Sequence, residues 1–351
     1  MKKNPVGIKD IALHAGVSTG PVDKVLNNRG GVSKKTEERI LKAIEELGYT
    51  PNILASRLKS AKQYSIAALL PEATPDIPYW KEHERGFADA INELKPYGFQ
   101  IEVHRFHQND KQAFVTQTAS ILENNYDGVF MVPIFAAETL KFVQRLKRAG
   151  TPVIFFDTQL PELPNIPFIG QHSFDSGFLA GELLHKSVSP SSTLLIISLT
   201  QEQDNHLHFT SRENGFREFF KSKQRSIIKY ESTLANEHIE TELSGLIAAS
   251  PFVEGIFVTN GIHRVARVFS PQKKHILIGY DLIEENVKYL TNEVIDFLIS
   301  QQPYTQAYAG IHLFYDLLIL KRTINKKTYL PIDIVMKSNL KYYNHIGHGG
   351  A

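Results

Sequence analysis

Val17-Ser-Thr-Gly-Pro-Val-Asp-Lys-Val-Leu-Asn-Asn-Arg-Gly30 reads as a short helix entered from a tight turn. Ser18 is a good N-cap, and Pro21 is tolerated in the first turn because the first amides of a helix have no intrahelical partner. Val22, Val25 and Leu26, spaced i, i+3, i+4, turn inward, which leaves Thr19, Gly20, Asp23, Lys24 and Asn27 facing outward. Upstream, Ile8, Ile11, Ala12 and Ala15 repeat at helical spacing until Gly16 stops them. Downstream, Gly30-Gly31 breaks the chain and Ser33 caps a third helix. Its stripe is Ile40, Ile44 and Leu47, and Gly48 closes it. Three short helices with a glycine turn between the first two are helix-turn-helix anatomy, and the second helix is the one expected to enter a DNA major groove.

The charge distribution agrees. Residues 1–62 carry 12 Lys/Arg against 6 Asp/Glu, a net of +6, whereas the rest of the 351-residue chain carries 27 against 31, a net of −4. A basic head on a mildly acidic body suggests a polyanionic partner for the head alone, although a solvated charged face is common enough that charge decides nothing unaided. Composition is that of an ordinary globular protein, 42% hydrophobic and 22% charged. The absence of cysteine excludes disulfides, thiolate metal sites and cysteine nucleophiles. Met1-Lys-Lys-Asn-Pro-Val-Gly7 leads into no apolar h-region, and no stretch approaches the roughly 18 uninterrupted apolar residues of a spanning helix. We therefore expect no export signal, no membrane segment and a cytoplasmic location.

From Ile8 to Ser60 the chain resembles, without a gap, the headpiece of LacI/GalR-type transcriptional regulators. The shared elements are AGVS at the turn, V-x-x-VLN in the second helix, VS-x-x-T before the third, and LGY-x-PN-x-x-A-x-x-L. The resemblance implies a headpiece over residues 1–50 that contacts DNA through Ser18, Thr19, Gly20, Pro21, Asp23, Lys24, Asn27 and Arg29. It implies a hinge helix and linker over 51–62, matched by Tyr49 just before it and by Pro51, Asn52, Ala55 and Leu58 within it. In that family two hinge helices, one per protomer, enter the minor groove and a leucine wedges the central base step, a device for kinking DNA. Here the wedge would be Leu58, with Ala55 allowing close approach. The family usually carries Thr, Ser and Arg where this chain has Pro21, Asp23 and Lys24. Lys24 lacks the bidentate fork that suits guanine, so the operator sequence does not carry over.

Beyond residue 63 short apolar runs (Ser65–Leu70, Gln100–Arg105, Gly128–Val132, Val153–Phe156) alternate with helical segments (Trp80–Leu94, Lys111–Asn124, Ala136–Ala149). The rhythm repeats with strands near Thr193–Ser198, Ile227–Tyr230, Gly255–Thr259 and His275–Gly279. The helices of this second half fall near Ser176–Lys186, Asn214–Lys221, Ile239–Ala249 and Glu284–Leu290. Two βαβ series in tandem predict an α/β body with parallel sheets and a ligand cleft at the carboxyl ends of its strands. The body is similar to the type I periplasmic-binding-protein-like effector domain of the same family, and we expect it to dimerise. The lobes are expected near 63–160 with 284–315, and 161–283 with 316–345. The landmarks are Phe155-Phe-Asp157, Phe168-Ile-Gly-Gln171 leading to Gly177 and Gly181, Arg212-Glu-Asn-Gly-Phe216, Thr259-Asn260, Gly279-Tyr-Asp281 and Ile299-Ser-Gln301. By that resemblance Asp157, Arg212, Asn260, Asp281 and Gln301 bind hydroxyls, and Tyr79 or Trp80 stacks on a sugar ring. The chemistry fits, since a polyol needs a rigid donor fork, acceptors, amides that do both, and an aromatic face. Each residue also has a plain alternative. Strand-end Asp and Asn often cap helices, an Arg before a helix often pairs at the surface, and Trp80 suits a core.

The expected function is a sequence-specific DNA-binding regulator, a repressor, that binds a palindromic double-stranded operator as a homodimer. A small sugar-like effector bound between two lobes would control it, with no cofactor and no metal. The alternatives are a sugar-type solute-binding protein without regulatory role, an enzyme, and a DNA-binding protein whose body senses nothing. Against an enzyme, no G-x-G-x-x-G follows a strand. Gly30-Gly-Val-Ser-Lys-Lys-Thr lacks a P-loop's second glycine, and Gly16-Val-Ser-Thr-Gly20 follows a helix where a nucleophile elbow needs a strand. Tyr342–Ala351 has no leucine heptads, so we expect a dimer rather than a coiled-coil tetramer. Of the 14 histidines, the pairs His104/His107 and His206/His208 are expected at the surface or the cleft rim, not at a metal.

Overall fold

In this computed structural model residues 6–26, 29–49, 62–74, 77–200, 207–272 and 274–343 are described. The chain divides into two units, Met1–Lys62 and Gln63–Ala351.

The first unit holds α1 (Ile8–Ala15), α2 (Thr19–Leu26) and α3 (Lys34–Glu46). Ile11, Ala12, Ala15, Val22, Ile40 and Ala43 are buried together, with Val25, Leu26, Ile44, Leu47 and Tyr49 packed half-buried against them. Gly16 ends α1 at φ 60°, a left-handed conformation that glycine adopts without strain, and Val17 N–H closes the turn on the Ala12 carbonyl at 2.9 Å. Arg39, from α3, donates to the Ala15 and Gly16 carbonyls left over at that helix end. A Cβ on Gly16 would stand 2.9 Å from the tip of the Arg39 side chain, which can shift aside, so the turn needs glycine for its φ rather than for space. Ser33 caps α3 by accepting from Thr36 N–H at 3.3 Å, and His14 pairs with Glu46 at 2.7 Å, joining α1 to α3.

In the second unit, Tyr64–Pro71 (β1) is buried at seven of its eight positions. Gly128–Met131 (β3) and Val153–Phe156 (β4) are buried throughout, as strands covered on both faces must be. Phe99–Phe106 (β2) alternates because it forms a sheet edge. The intervening helices are α4 (Lys81–Leu94), α5 (Lys111–Glu123) and α6 (Ala136–Ala149), and Phe168–Gln171 (β5) follows. The second series runs α7 (Ser173–Ser187), β6 (Thr193–Thr200), α8 (Leu207–Phe220), β7 (Ile227–Thr233), α9 (Ile239–Ala249), β8 (Val253–Val258), α10 (Ile262–Ala266), β9 (Ile276–Tyr280), α11 (Glu284–Thr291) and β10 (Phe297–Ser300). The chain ends through α12 (Pro303–Leu318), β11 (Lys327–Leu330) and β12 (Asp333–Val335).

Two six-stranded sheets result, ordered β11-β5-β4-β3-β1-β2 and β12-β10-β9-β8-β6-β7. All pairs are parallel except β10 with β12. These memberships correct the expected lobe division. β5 and β11 were expected in the second lobe and pair instead with the first sheet, while β10, expected in the first, pairs with β9. An apolar run shows that a strand is buried but not which strand lies beside it. The chain thus crosses between lobes three times, after β5, after β10 and after β11. A second correction concerns α8, which starts at Leu207, seven residues before the expected Asn214, so Arg212 lies inside a helix. A third concerns His104, which is 6% exposed and bonded to Tyr126 and Gln117 rather than lying at a surface.

Candidate effector cavity and DNA-reading face

The strands of both sheets end at one cavity of about 100 Å³. Tyr79 and Trp80 follow β1, Asp157 follows β4, Asn260 follows β8, Asp281 follows β9 and Gln301 follows β10. Arg212 comes from α8, and all seven expected ligand residues line the same space. Brought in as well are Gln108, Phe209, Tyr280 and Asn286, which the sequence reading did not single out. Of these only Tyr280, adjoining Asp281 at a strand end, carried a usable signal.

Asp157 and Asp281 take left-handed backbone, φ 64° and 77°. Asp is among the few non-glycine residues that enter this region readily, and the turn aims each carboxylate off its strand end. Arg212 is 2% exposed. One guanidinium nitrogen donates to the Thr259 carbonyl at 2.7 Å, another to Gln301 Oε1 at 2.5 Å, and its Cζ lies 3.7 Å over the Tyr280 ring. Gln301 in turn donates to Asp281 at 2.6 Å. On the opposite wall Tyr79 donates its hydroxyl to Asp157 at 2.6 Å. The Trp80 indole N–H donates to Gln108 at 2.9 Å, which holds a side chain only 4% exposed. Trp80 is thus a core residue that also lines the cavity.

Burial raises both acids. Desolvation pushes the Asp281 carboxyl to about 6 against the pull of Arg212 and Gln301. Asp157 is raised by burial too, against its Tyr79 bond and the Arg212 charge. Burial holds the Tyr280 hydroxyl at about 12 and takes His83, beneath the Tyr79–Trp80 pair, down to about 3, a neutral core histidine. Two buried polar atoms, Arg212 Nε and Asn286 Oδ1, have no hydrogen-bond partner among the described residues. Such orphans call for an explanation, and a bound polar molecule is one.

Arg212 is placed by backbone contact. A Cβ on Gly177 of α7 would fall 1.8 Å from the Arg212 carbonyl oxygen, and one on Gly215 of α8 would fall 1.9 Å from the Phe174 carbonyl oxygen. α7 and α8 therefore cross with their backbones touching through paired glycines.

In the first unit Ser18, Thr19, Gly20, Lys24 and Arg29 are exposed, and Pro21 and Asp23 are half-buried. Asp23 pairs with Arg29 at 3.2 Å, so its charge is offset within the headpiece. Tyr49 is half-buried against the headpiece core. Asn27, Asn52, Ala55 and Leu58 lie outside the described residues. Among the described residues no group of His, Asp or Glu side chains is arranged to hold a metal ion, and no helix is long and apolar enough to cross a membrane.

Fold and cavity define a periplasmic-binding-protein type of body: residues 66–322 match the periplasmic binding protein domain family. Residues 7–52 match the bacterial regulatory proteins of the lacI family. The HTH-type transcriptional regulator MalR of Streptococcus pneumoniae is 25% identical over 298 residues, 83% of this chain and 81% of that protein. The sucrose operon repressor of Streptococcus mutans is 22% identical, over 94% of this chain and 92% of its own. Among solved structures, that of a putative LacI transcriptional regulator from Bacteroides fragilis superposes with a TM-score of 0.74 at 26% identity, covering 80% of this chain and all of that one. The chain belongs to the LacI family. It is a DNA-binding transcriptional repressor whose effector domain is of the sugar-binding type.

Proposed function

We propose that a sugar-sized polyol occupies the cavity, contacts Tyr79, Trp80, Asp157, Arg212, Asn260, Asp281 and Gln301, and sets the affinity of the headpiece for its operator. The observation that carries this is the convergence of a donor fork, two carboxylates, two amides and two aromatic rings on one largely buried space. A cavity near 100 Å³ is several times the roughly 10–15 Å³ that a single water needs, which suits one sugar ring. The name of the sucrose operon repressor points the same way. The walls come from both lobes, so a ligand that bridges them favours the closed arrangement. Its effect on DNA equals its differential affinity for the two states, about 1–3 kcal/mol in typical couplings.

On the DNA side, we propose a cytoplasmic homodimer on a palindromic operator. Ser18, Thr19, Gly20, Pro21, Lys24, Asn27 and Arg29 face the major groove; Tyr49, Asn52, Ala55 and Leu58 serve the hinge. The Asp23–Arg29 pair suits a reader in which Asp23 orients Arg29. Two measurements test the whole: a selected-sequence binding screen, expected to return a palindrome bound with steep salt dependence, and a thermal-shift screen against sugars, sugar acids and polyols. The absence of any enriched palindrome would sink the operator half. Arg212→Ala should abolish the ligand response and leave operator binding intact; loss of both would remove its sensing role.

A further inference from the structure

Behind the effector cavity lies a second, of about 520 Å³, and the two share Asp157, Thr158 and His208 as a common wall. Its sides come from both lobes: Phe168, Gln171 and Tyr329 from the first sheet, and Phe174, Thr210 and Ser211 from α7 and α8. Gln171 is 5% exposed and spans the lobes, its Nε2 donating to the Ser300 carbonyl at 2.9 Å. Its Oε1 is buried without a hydrogen-bond partner among the described residues. An amide anchored at one end and orphaned at the other presents a fixed acceptor, and a buried acceptor left unmet is costly.

We propose that this second cavity is an arm of the effector site, taking the next glycosyl unit of an effector at least two rings long, whose hydroxyl donates to Gln171 Oε1. This rests on the sugar reading of the first cavity and extends it. The first space is of a size for one ring, and the second adjoins it across Asp157, Thr158 and His208. The orphan atom accepts, so the arm must bring a donor. The shared wall carries the Asp157 carboxylate, so an anionic arm such as a phosphoryl group would bring acceptors and like charge to it, while the one lysine on the lining, Lys327, is exposed. Phe168, Phe174 and Tyr329 supply apolar surface for the C–H faces of a ring. Because both lobes wall the arm, filling it adds to closure.

The test is calorimetric titration of the full chain with glucose, galactose, ribose and arabinose, with maltose, cellobiose, lactose and sucrose, and with glucose 6-phosphate. At least one disaccharide is expected to bind tenfold or more tightly than either of its component monosaccharides. Thr210→Trp, which fills the arm from an exposed position on α8, is expected to erase that advantage while operator binding without sugar is unchanged. A monosaccharide that binds as tightly as every disaccharide containing it overturns the arm and leaves the sugar reading standing. So does an advantage that survives Thr210→Trp, or tightest binding of glucose 6-phosphate. Binding of no sugar of either length overturns both readings together.

Discussion

Gly177→Ala puts one methyl group where two helices touch. The added Cβ would lie 1.8 Å from the Arg212 carbonyl oxygen, and real contacts of this kind do not fall below 3.0 Å, so α7 and α8 must part by at least about 1.2 Å. Carried along α8, that displacement lengthens the 2.5 Å bond from Arg212 to Gln301 toward about 3.7 Å, beyond hydrogen-bond reach. A hydrogen bond to a charged group is worth roughly 1.5–3 kcal/mol, so effector affinity should fall by about 10- to 150-fold. Overpacking costs about 1–3 kcal/mol, and replacing glycine by alanine in a helix returns roughly 1 kcal/mol. The variant should therefore stay folded while its sensing fails. The assay takes whichever sugar most raises the wild-type melting temperature and titrates it by the emission of Trp80, the chain's one tryptophan and a lining residue of the cavity. Gly245→Ala is the control: it lies on α9 with nothing within 4 Å of its added Cβ. A folded Gly177→Ala protein with affinity within threefold of wild type would refute the view that the glycine crossing positions Arg212.

Arg39→Ala removes the donor to the Ala15 and Gly16 carbonyls. We expect a headpiece less stable by about 1–2 kcal/mol. Hydrogen exchange of α1 amides in the full chain, five- to thirtyfold faster, is the readout, and unchanged protection would count against the cap. Asp281, raised from 3.8 to about 6, binds its proton more tightly folded than unfolded. Its contribution to stability is therefore greatest below about pH 4, falls as pH rises to about 6, and is level above that. Effector hydroxyls donate best to the carboxylate, so affinity should drop as pH falls through 6. Asp281→Asn should remove both steps, and a step that persists in the variant assigns it to another group. Leu58→Ala should weaken operator binding far more than non-specific binding, measured by competition with random duplex; equal losses would end the wedge role.

Much of this protein is legible without a structure because the signals are local. The headpiece is written in one contiguous stretch, where Gly16, Ser33 and the stripe around Ile11, Val22 and Ile40 each act on near neighbours. The central strands announce themselves as apolar runs. Four of the seven expected ligand residues, Asp157, Asn260, Asp281 and Gln301, follow such runs directly or by two positions, and the carboxyl ends of parallel strands are where ligand sites form. Arg212 was legible by resemblance but misplaced, since the helix was expected from Asn214 and is already under way at Leu207. What the chain order could not supply is non-local. The placement of β5, β10 and β11 depends on which strand offers a free edge, and an apolar run is equally content beside several. The touching of Gly177 and Arg212, the Tyr280 ring beneath the guanidinium, and a second cavity closed by both lobes arise only when elements far apart in sequence pack together. Sequence alone determined the headpiece and which residues gather at the strand ends; packing between the two sheets decided how those residues are held around one cavity and how far the space beyond them extends.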